Sequence, residues 1–524
     1  MSRSLFRRLK RRFGRRISGA ERVERAEAHR ARIGEFLPLG LMTQKAPAGK
    51  EPPIRVAIVG GGFAGLAAAR VLVNLNCRVM LFEARDTLAG RVRSTKSFIS
   101  GRILEEGAEL IGSNHPVWLD LARVFGLGLS VITEDDEFGA AGLSIPIRFL
   151  GKRLSQKEVE DLFRVMERAL EDLTVRAKAI TDPYNPWITP GADVLDKSTL
   201  ESWIKGVTKD KVVQAALEFE FANNNVAPTK NQSLLAVLTQ IAGGGLEHYW
   251  EDTEVFRCAN GNDVLDGMSG LTRGKDLLMR HQVTEINIRG KEVEVKTMQK
   301  GDPRTTVHDF VIIAVPPSVW SSIQLNGSVI PIPKMQMGDA VKYLAETERR
   351  FWILNGDAPS GAADDMGMIW EGTDNQMGGS GIDLTVFAGG PFAAIGSTPP
   401  RDHFDPKIDK LLSGYKSSKV HAQFVNWPGV NFIHTGYSIP APKQVITIGL
   451  WLQQSIAGRI WFAGEHVSMP FFGYMEGALQ SGLIAAARVA DAAGIVLPKS
   501  VTLSGSGVRV RFPKVVPPLP KVKK

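Results

Sequence analysis

Apolar residues along this chain fall into two rhythms, and their alternation predicts the architecture. Arg55-Val56-Ala57-Ile58-Val59 is a short run rich in β-branched residues and reads as a buried parallel strand. Gly60, Gly62 and Gly65 follow, and an Ala-rich helix is predicted from about Ala64 to Asn76. A second strand, Arg78 to Phe82, ends at Glu83. Residues 117–250 then switch to three- and four-residue spacing, clearest over Ser155–Ile180 and Asp210–Asn223, which predicts a helical stretch. Asp182-Pro183-Tyr184-Asn185-Pro186 and Ala242-Gly243-Gly244-Gly245 interrupt it. From Val283 the period returns to two, over Val283–Ile288 and Glu292–Lys296. Asp309–Val315 is a third buried strand, stopped by Pro316-Pro317 and predicted to rejoin the first sheet. Further strand-like runs are Val341–Thr347, Leu384–Ala388 and Ile460–Phe462; a long helix closes the pattern from Ala478 to about Ala493.

The first strand, turn, helix and second strand form a βαβ unit with G-x-G-x-x-G at its turn. Gly60 permits the tight turn, Gly62 lets backbone approach a pyrophosphate, and Gly65 lets the helix lie close on the strand. The helix N-terminus offers unpaired N–H groups and a positive dipole end to phosphates. Glu83 is placed to accept hydrogen bonds from a ribose hydroxyl. This predicts dinucleotide binding; the acid alone suits FAD and NAD equally.

At 524 residues, 44% hydrophobic and 23% charged, the chain is expected to fold as two or three globular domains. No apolar run reaches the roughly 18 residues of a membrane span. Cys77 and Cys258 give neither a disulfide framework nor a zinc spacing, which fits a reducing, cytoplasmic setting. The formal net charge of +9 is misleading as an average. Residues 1–33 carry twelve Arg or Lys against three Glu, and residues 501–524 carry six and no acid, so the remaining body is about −6. The ends therefore read as a solvated, partly helical basic arm and a disordered basic tail, and nucleic acid is not an expected partner. A Ser/His/Asp hydrolase reading finds no nucleophile elbow.

Five motifs in order then carry a resemblance to the flavin-dependent amine oxidases, the family of monoamine, polyamine and L-amino-acid oxidases. They are the glycine turn with Glu83; Gly90-Arg91-Val92-Arg93; Ala314-Val315-Pro316-Pro317; Ala340-Val341-Lys342 leading to Phe351-Trp352; and Trp461-Phe462-Ala463-Gly464-Glu465 with Gly473-Tyr474-Met475-Glu476-Gly477-Ala478. The likeness covers roughly residues 54–495, more weakly in the helical middle. It implies an α/β fold: a discontinuous Rossmann-like FAD-binding domain, a mixed-sheet substrate domain and a helical insertion. The expected division is a basic arm and linker (1–50), FAD-binding parts at 51–116, 251–325 and 446–500, a helical substrate region (117–250), a substrate-binding domain (326–445) and a tail (501–524).

The resemblance implies that Gly60, Gly62, Ala64, Gly65, Glu83, Ala84 and Arg85, with Gly90, Arg91 and Arg93, hold the ADP half and the flavin edge of FAD. Val283 offers its backbone to the adenine. Gly464, Glu465, Tyr474 and Met475 sit at the ribityl chain and ring. Lys342 matches a lysine that holds a water near flavin N5, and Tyr474 with Tyr437 matches an aromatic pair over the flavin face. Gly436 stands where monoamine oxidases carry the flavin-linking cysteine, so FAD is expected to be non-covalent. Gly107-Ala108-Glu109-Leu110-Ile111-Gly112-Ser113-Asn114-His115-Pro116 resembles bacterial L-amino-acid oxidases, but Glu109 and Leu110 replace the Met-Arg whose arginine binds the substrate carboxylate. Glu109 either faces a substrate ammonium or pairs with a nearby arginine. His115 and His248 read as structural. The expected reaction is hydride transfer from an L-amino acid to flavin N5, giving a 2-oxo acid, ammonia and, with molecular oxygen, hydrogen peroxide. The alternatives are oxidation of monoamines or polyamines, a flavin desaturase, or a module that works through its basic arm. A homodimer is an allowed assembly.

Overall fold

The protein was analysed as a computed structural model that describes residues 4–495 except 16, 35–38, 43–44, 46–52, 134 and 328–331, together with the short strand Val510–Arg511. The rest of the basic tail and most of the expected Pro-rich linker lie outside the described residues.

The organising element is a five-stranded sheet in the order Ile460–Phe462, Phe310–Ile313, Arg55–Val59, Arg78–Glu83, Leu277–Met279. Every pairing in it is parallel. Its strands come from three distant parts of the sequence, and Ile58 stands opposite both Ile312 and Leu81. The period of two splits each strand between two cores. Val56 and Ile58 face one core with the helix Phe63–Asn74, whereas Ala57 and Val59 face a second with Val311 and Ile313. The first helix packs against the closing helix Met475–Ala492 so tightly that a Cβ on Gly482 would lie 2.2 Å from the Ala64 carbonyl oxygen.

Beside it stands a four-stranded sheet in the order Asp302–His308, Glu292–Gln299, Gln282–Arg289, Gln324–Asn326. His308 is 4% exposed, edge-on to Phe82. Burial, with help from Arg55, lowers its pKa from 6.5 to about 4. The unfolded chain takes up a proton that the folded one refuses between those values. Stability present above pH 6.5 is therefore lost as the pH falls toward 4. His308 alone is expected to cost about 3 kcal/mol over that window, and urea melts of His308→Leu should show a correspondingly shallower acid limb.

The third sheet is mixed and seven-stranded: Lys419–Asn426, Ala340–Thr347, Ile382–Gly389, Gly367–Glu371, Gly361–Ala363, Ile147–Phe149, Lys152–Arg153. Its last two strands come from the stretch read as helical, where they are too short to show a rhythm. Apart from the short strand Leu129–Val131, the rest of that stretch is helices and turns. Gln156–Ala177 begins with a capping box, the Ser155 hydroxyl and the Glu158 carboxylate each satisfying the other's backbone N–H. Lys211–Asn224 is capped by Asp210. Leu234–Gly243 ends at the predicted glycine break.

The N-terminal arm departs from expectation. Residues Leu5–Phe13 are helical, but this helix is not solvated: Leu5, Phe6 and Leu9 are at most 1% exposed, and Arg7 and Arg8 are buried with them. Phe6 lies edge-on to Trp250 and stacks on Phe163. The apolar stripe at positions 5, 6, 9 and 13 is what the high arginine content conceals.

Candidate active site

The C-terminal ends of the sheet strands open into a cleft of about 1390 Å³, solvent space at its mouth included. At one end lies the glycine turn. Gly60 has φ +108°, and a Cβ there would sit 2.9 Å from the Ala314 carbonyl oxygen, so only glycine fits. Gly62 caps the first helix and borders the cleft with Ala64, so the helix N-terminus faces the open space. Gly65 does not line the cleft: its missing side chain lets the helix approach Gly60, whose oxygen would be 2.0 Å from a Cβ.

Glu83, at the end of the second strand, accepts the N–H groups of Gly61 (2.7 Å) and Arg85 (2.8 Å), and burial raises its pKa. Ala84, Arg85, Gly90 and Val283 border the cleft beside it. Arg91 donates to the Gly436 carbonyl and to Glu465, both at 2.8 Å. Burial would push the Glu465 carboxyl up. Arg91 and the bonds from Ser438 (2.6 Å) and Gly473 N–H (2.7 Å) outweigh burial and hold it below its usual range. Gly464, Tyr474 and Met475 complete this wall, where the closing helix presents its N-terminus. Arg93 does not reach the cleft; it pairs with Glu106 and lies over the Trp427 ring at 4.8 Å.

The other end is built by the mixed sheet. Lys342 sits mid-strand yet is only 3% exposed, so it is not a strand lysine facing water. Its Nζ donates to the Glu105 carbonyl (2.7 Å) and to Glu109 Oε2 (2.9 Å) while bordering the cleft. Glu109 itself does not border the cleft, at variance with its expected place at the substrate. Its carboxylate accepts from Lys342, from Arg257 at 2.8 Å and from the Trp370 indole at 3.0 Å. Of its two expected roles, it takes the arginine partner.

Tyr437 and Tyr474 both line the cleft. Tyr437 is set by a short ladder with Met337–Gly338, and its hydroxyl donates to the Asn224 carbonyl at 2.6 Å. The Tyr474 hydroxyl meets that of Tyr249 at 3.2 Å. His115 stands behind Tyr474, its ring 5.3 Å away; its Nδ1 accepts from Gly112 N–H, and burial keeps it neutral. His248 is exposed and does not line the cleft. Phe387, Trp427 and Phe432 add an aromatic lining that sequence reasoning missed, since no local motif marks them.

The residues present fit a dinucleotide flavin: a glycine cradle, two helix N-termini and an acid at the ribose position. Neither Cys77 nor Cys258 borders the cleft. A Cβ at Gly436 would lie 2.7 Å from Ala340 Cβ and 2.8 Å from the Gly338 oxygen. Gly436→Cys is therefore expected to lower the melting temperature without linking the flavin; acid precipitation should leave all yellow colour in the supernatant. Among the described residues no helix is long and apolar enough to cross a membrane and no cluster suits a metal ion.

Comparison with known proteins bears on the family and the fold. The chain is 25% identical over 476 residues to a flavin-containing amine oxidase of Danio rerio, covering 84% of this chain and 86% of that one. It is 24% identical over 457 residues to an L-amino acid dehydrogenase of Synechocystis, covering 82% and 94%. Its fold matches putrescine oxidase (TM-score 0.73, 21% identity) and the cyclohexylamine oxidase of Brevibacterium oxydans (TM-score 0.73, 20% identity), each over 84% of this chain and all of the other. The family model for flavin containing amine oxidoreductases matches residues 63–490, and the protein is an FAD-binding member of that family.

Proposed function

We propose that the protein oxidises L-amino acids to 2-oxo acids and ammonia, with molecular oxygen as acceptor and hydrogen peroxide as the second product. The observation that carries this reading is the convergence of Tyr437, Tyr474 and buried Lys342 on one cleft with the glycine cradle. FAD supplies the acceptor for the substrate's α-hydrogen with its electron pair. The two tyrosines bound a slot that strips water from the substrate and favours the neutral amine. Lys342 has two donors engaged, by the Glu105 carbonyl and by Glu109, and its remaining N–H is available to hold a water in the cleft. The second copy of the anchoring is electrostatic: Glu109 is held by Arg257 as well, so Lys342 is fixed by a carboxylate that cannot swing away.

The choice of an amino acid rests on the Gly107–Pro116 segment and on the likeness to an L-amino acid dehydrogenase. A second reading, oxidation of amines without a carboxylate, is favoured by two of the cleft's cations: Lys342 and Arg91 are each committed to a carboxylate of the protein itself, and a third, Arg85, borders the cleft beside Glu83 at the glycine-turn end. Peroxide release from L-amino acids, their D-enantiomers and the matching decarboxylated amines separates the two. The proposal expects release from the L-amino acids alone; release from the amines alone replaces it with the second reading.

A further inference from the structure

A smaller chamber of about 440 Å³, solvent space at its mouth included, adjoins Tyr474. Tyr474 belongs to both spaces, and the chamber wall includes Asn224, whose carbonyl holds the Tyr437 hydroxyl. Two buried carboxylates, Glu220 and Glu254, line it, 2% and 5% exposed. Buried carboxylates are costly unless paired, and here much of the pairing comes from the first turn of the N-terminal helix. Ser4 donates its N–H to Glu254 (3.0 Å) and its hydroxyl to Glu220 (2.5 Å), and Phe6 N–H donates to Glu220 (3.0 Å).

Arg7 enters the same chamber. It is 3% exposed, its Nη1 is 3.9 Å from Glu254, and its Nε and Nη2 have no hydrogen-bond partner. A guanidinium buried this deeply with idle donors is a poor permanent structural element, because each idle donor has lost its water. It is a good mimic of a cation that visits.

We propose that this chamber receives the distal cation of the substrate, a second ammonium or a guanidinium borne some carbons from the oxidised amine, and that the N-terminal helix competes for it by seating Arg7 there. The inference rests on the amine-oxidising reading of the cleft. Glu254 and Glu220 are the specificity-determining acids, and Ser4–Arg7 is a built-in competitor held by the apolar stripe of the same helix.

The test measures binding to the full-length holoprotein with its flavin kept reduced, so that no turnover occurs. Two matched pairs serve as probes: L-lysine against L-norleucine, and cadaverine against n-pentylamine. Arg7→Met is expected to bind L-lysine and cadaverine about tenfold more tightly than the unaltered chain, with L-norleucine and n-pentylamine unchanged. Adding Glu254→Gln should remove the gain. Leu5→Asp with Leu9→Asp, which disfavours docking of the whole helix, should reproduce the selectivity and covers the case in which Arg7→Met misfolds. An equal change on both members of each pair, or none, overturns the proposal. So does loss of L-lysine and L-norleucine binding by Arg7→Met with cadaverine unaffected, because Arg7 would then hold a substrate carboxylate. Failure of every probe to reduce oxidised flavin, with the binding selectivity intact, would instead remove the amine-oxidising reading and leave the chamber's preference standing.

Discussion

Gly62→Val is expected to yield a stably folded protein that binds FAD poorly, whereas Gly65→Ala should destabilise the first domain itself. The two glycines are three residues apart in one turn and look alike in sequence, yet their surroundings are opposite. A Cβ on Gly62 meets nothing closer than the Gly90 Cα at 4.0 Å. Its backbone is extended, with φ −75° and ψ 175°, which valine adopts freely. Added atoms therefore project into the cleft, into space that the cofactor's phosphates need. A Cβ on Gly65 would lie 2.0 Å from the Gly60 oxygen and 3.2 Å from Ile58 Cγ2, which are backbone and core. Only separation of helix from strand relieves that contact, at roughly 3 kcal/mol. Flavin copurification and thermal melting read the two outcomes separately. Gly62→Val should lower FAD affinity on the order of 10²-fold with the apoprotein's melting temperature little changed. Gly65→Ala should lower the melting temperature before any effect on affinity is measurable.

Lys342→Met is the second large expected effect. Methionine keeps the length of the side chain and removes its donors. The buried Glu109 carboxylate loses Lys342 but retains Arg257 at 2.8 Å and the Trp370 indole at 3.0 Å. The stability cost is therefore held to roughly 1–3 kcal/mol rather than that of an isolated buried charge. FAD should still bind, because the glycine turn and Glu83 do not touch Lys342. Turnover should fall on the order of 10²-fold, because the proposed mechanism needs the Lys342 ammonium to hold a water in the cleft. A stopped-flow comparison of the reductive and oxidative half-reactions assigns the loss to one of them. Arg257→Met, which strips Glu109 of its other cation while leaving Lys342, should cost more stability and less rate.

These effects also mark what the sequence made legible. The glycine turn, its flanking strands and Glu83 act through neighbours in the chain, so local spacing suffices to read them. The third strand was legible because a continuous apolar run, Phe310–Ile313, can be buried on both faces only inside such a sheet. Lys342 was legible through its motif, but its partners were not: Glu109, Arg257 and Trp370 are brought together from distant segments, and nothing in their spacing announces it. The N-terminal helix shows the same limit. Arginines at positions 7, 8, 11 and 12, with Lys10 among them, suggest a solvated arm, while the carboxylates that receive it, Glu220 and Glu254, lie in another part of the chain. Charge is read residue by residue, but burial is decided by partners that only the fold supplies.

The central claim is that the cleft joining the glycine turn to Tyr437 and Tyr474 oxidises an amine with bound FAD. Anaerobic titration of the purified yellow holoprotein with L-amino acids tests it most directly. The account predicts stoichiometric bleaching of the visible flavin absorption by L-amino acids, its return on admission of air, and no bleaching in Lys342-intact protein that lacks FAD through Gly62→Val. Flavin that stays fully oxidised in the presence of L-amino acids and of the corresponding amines would contradict it.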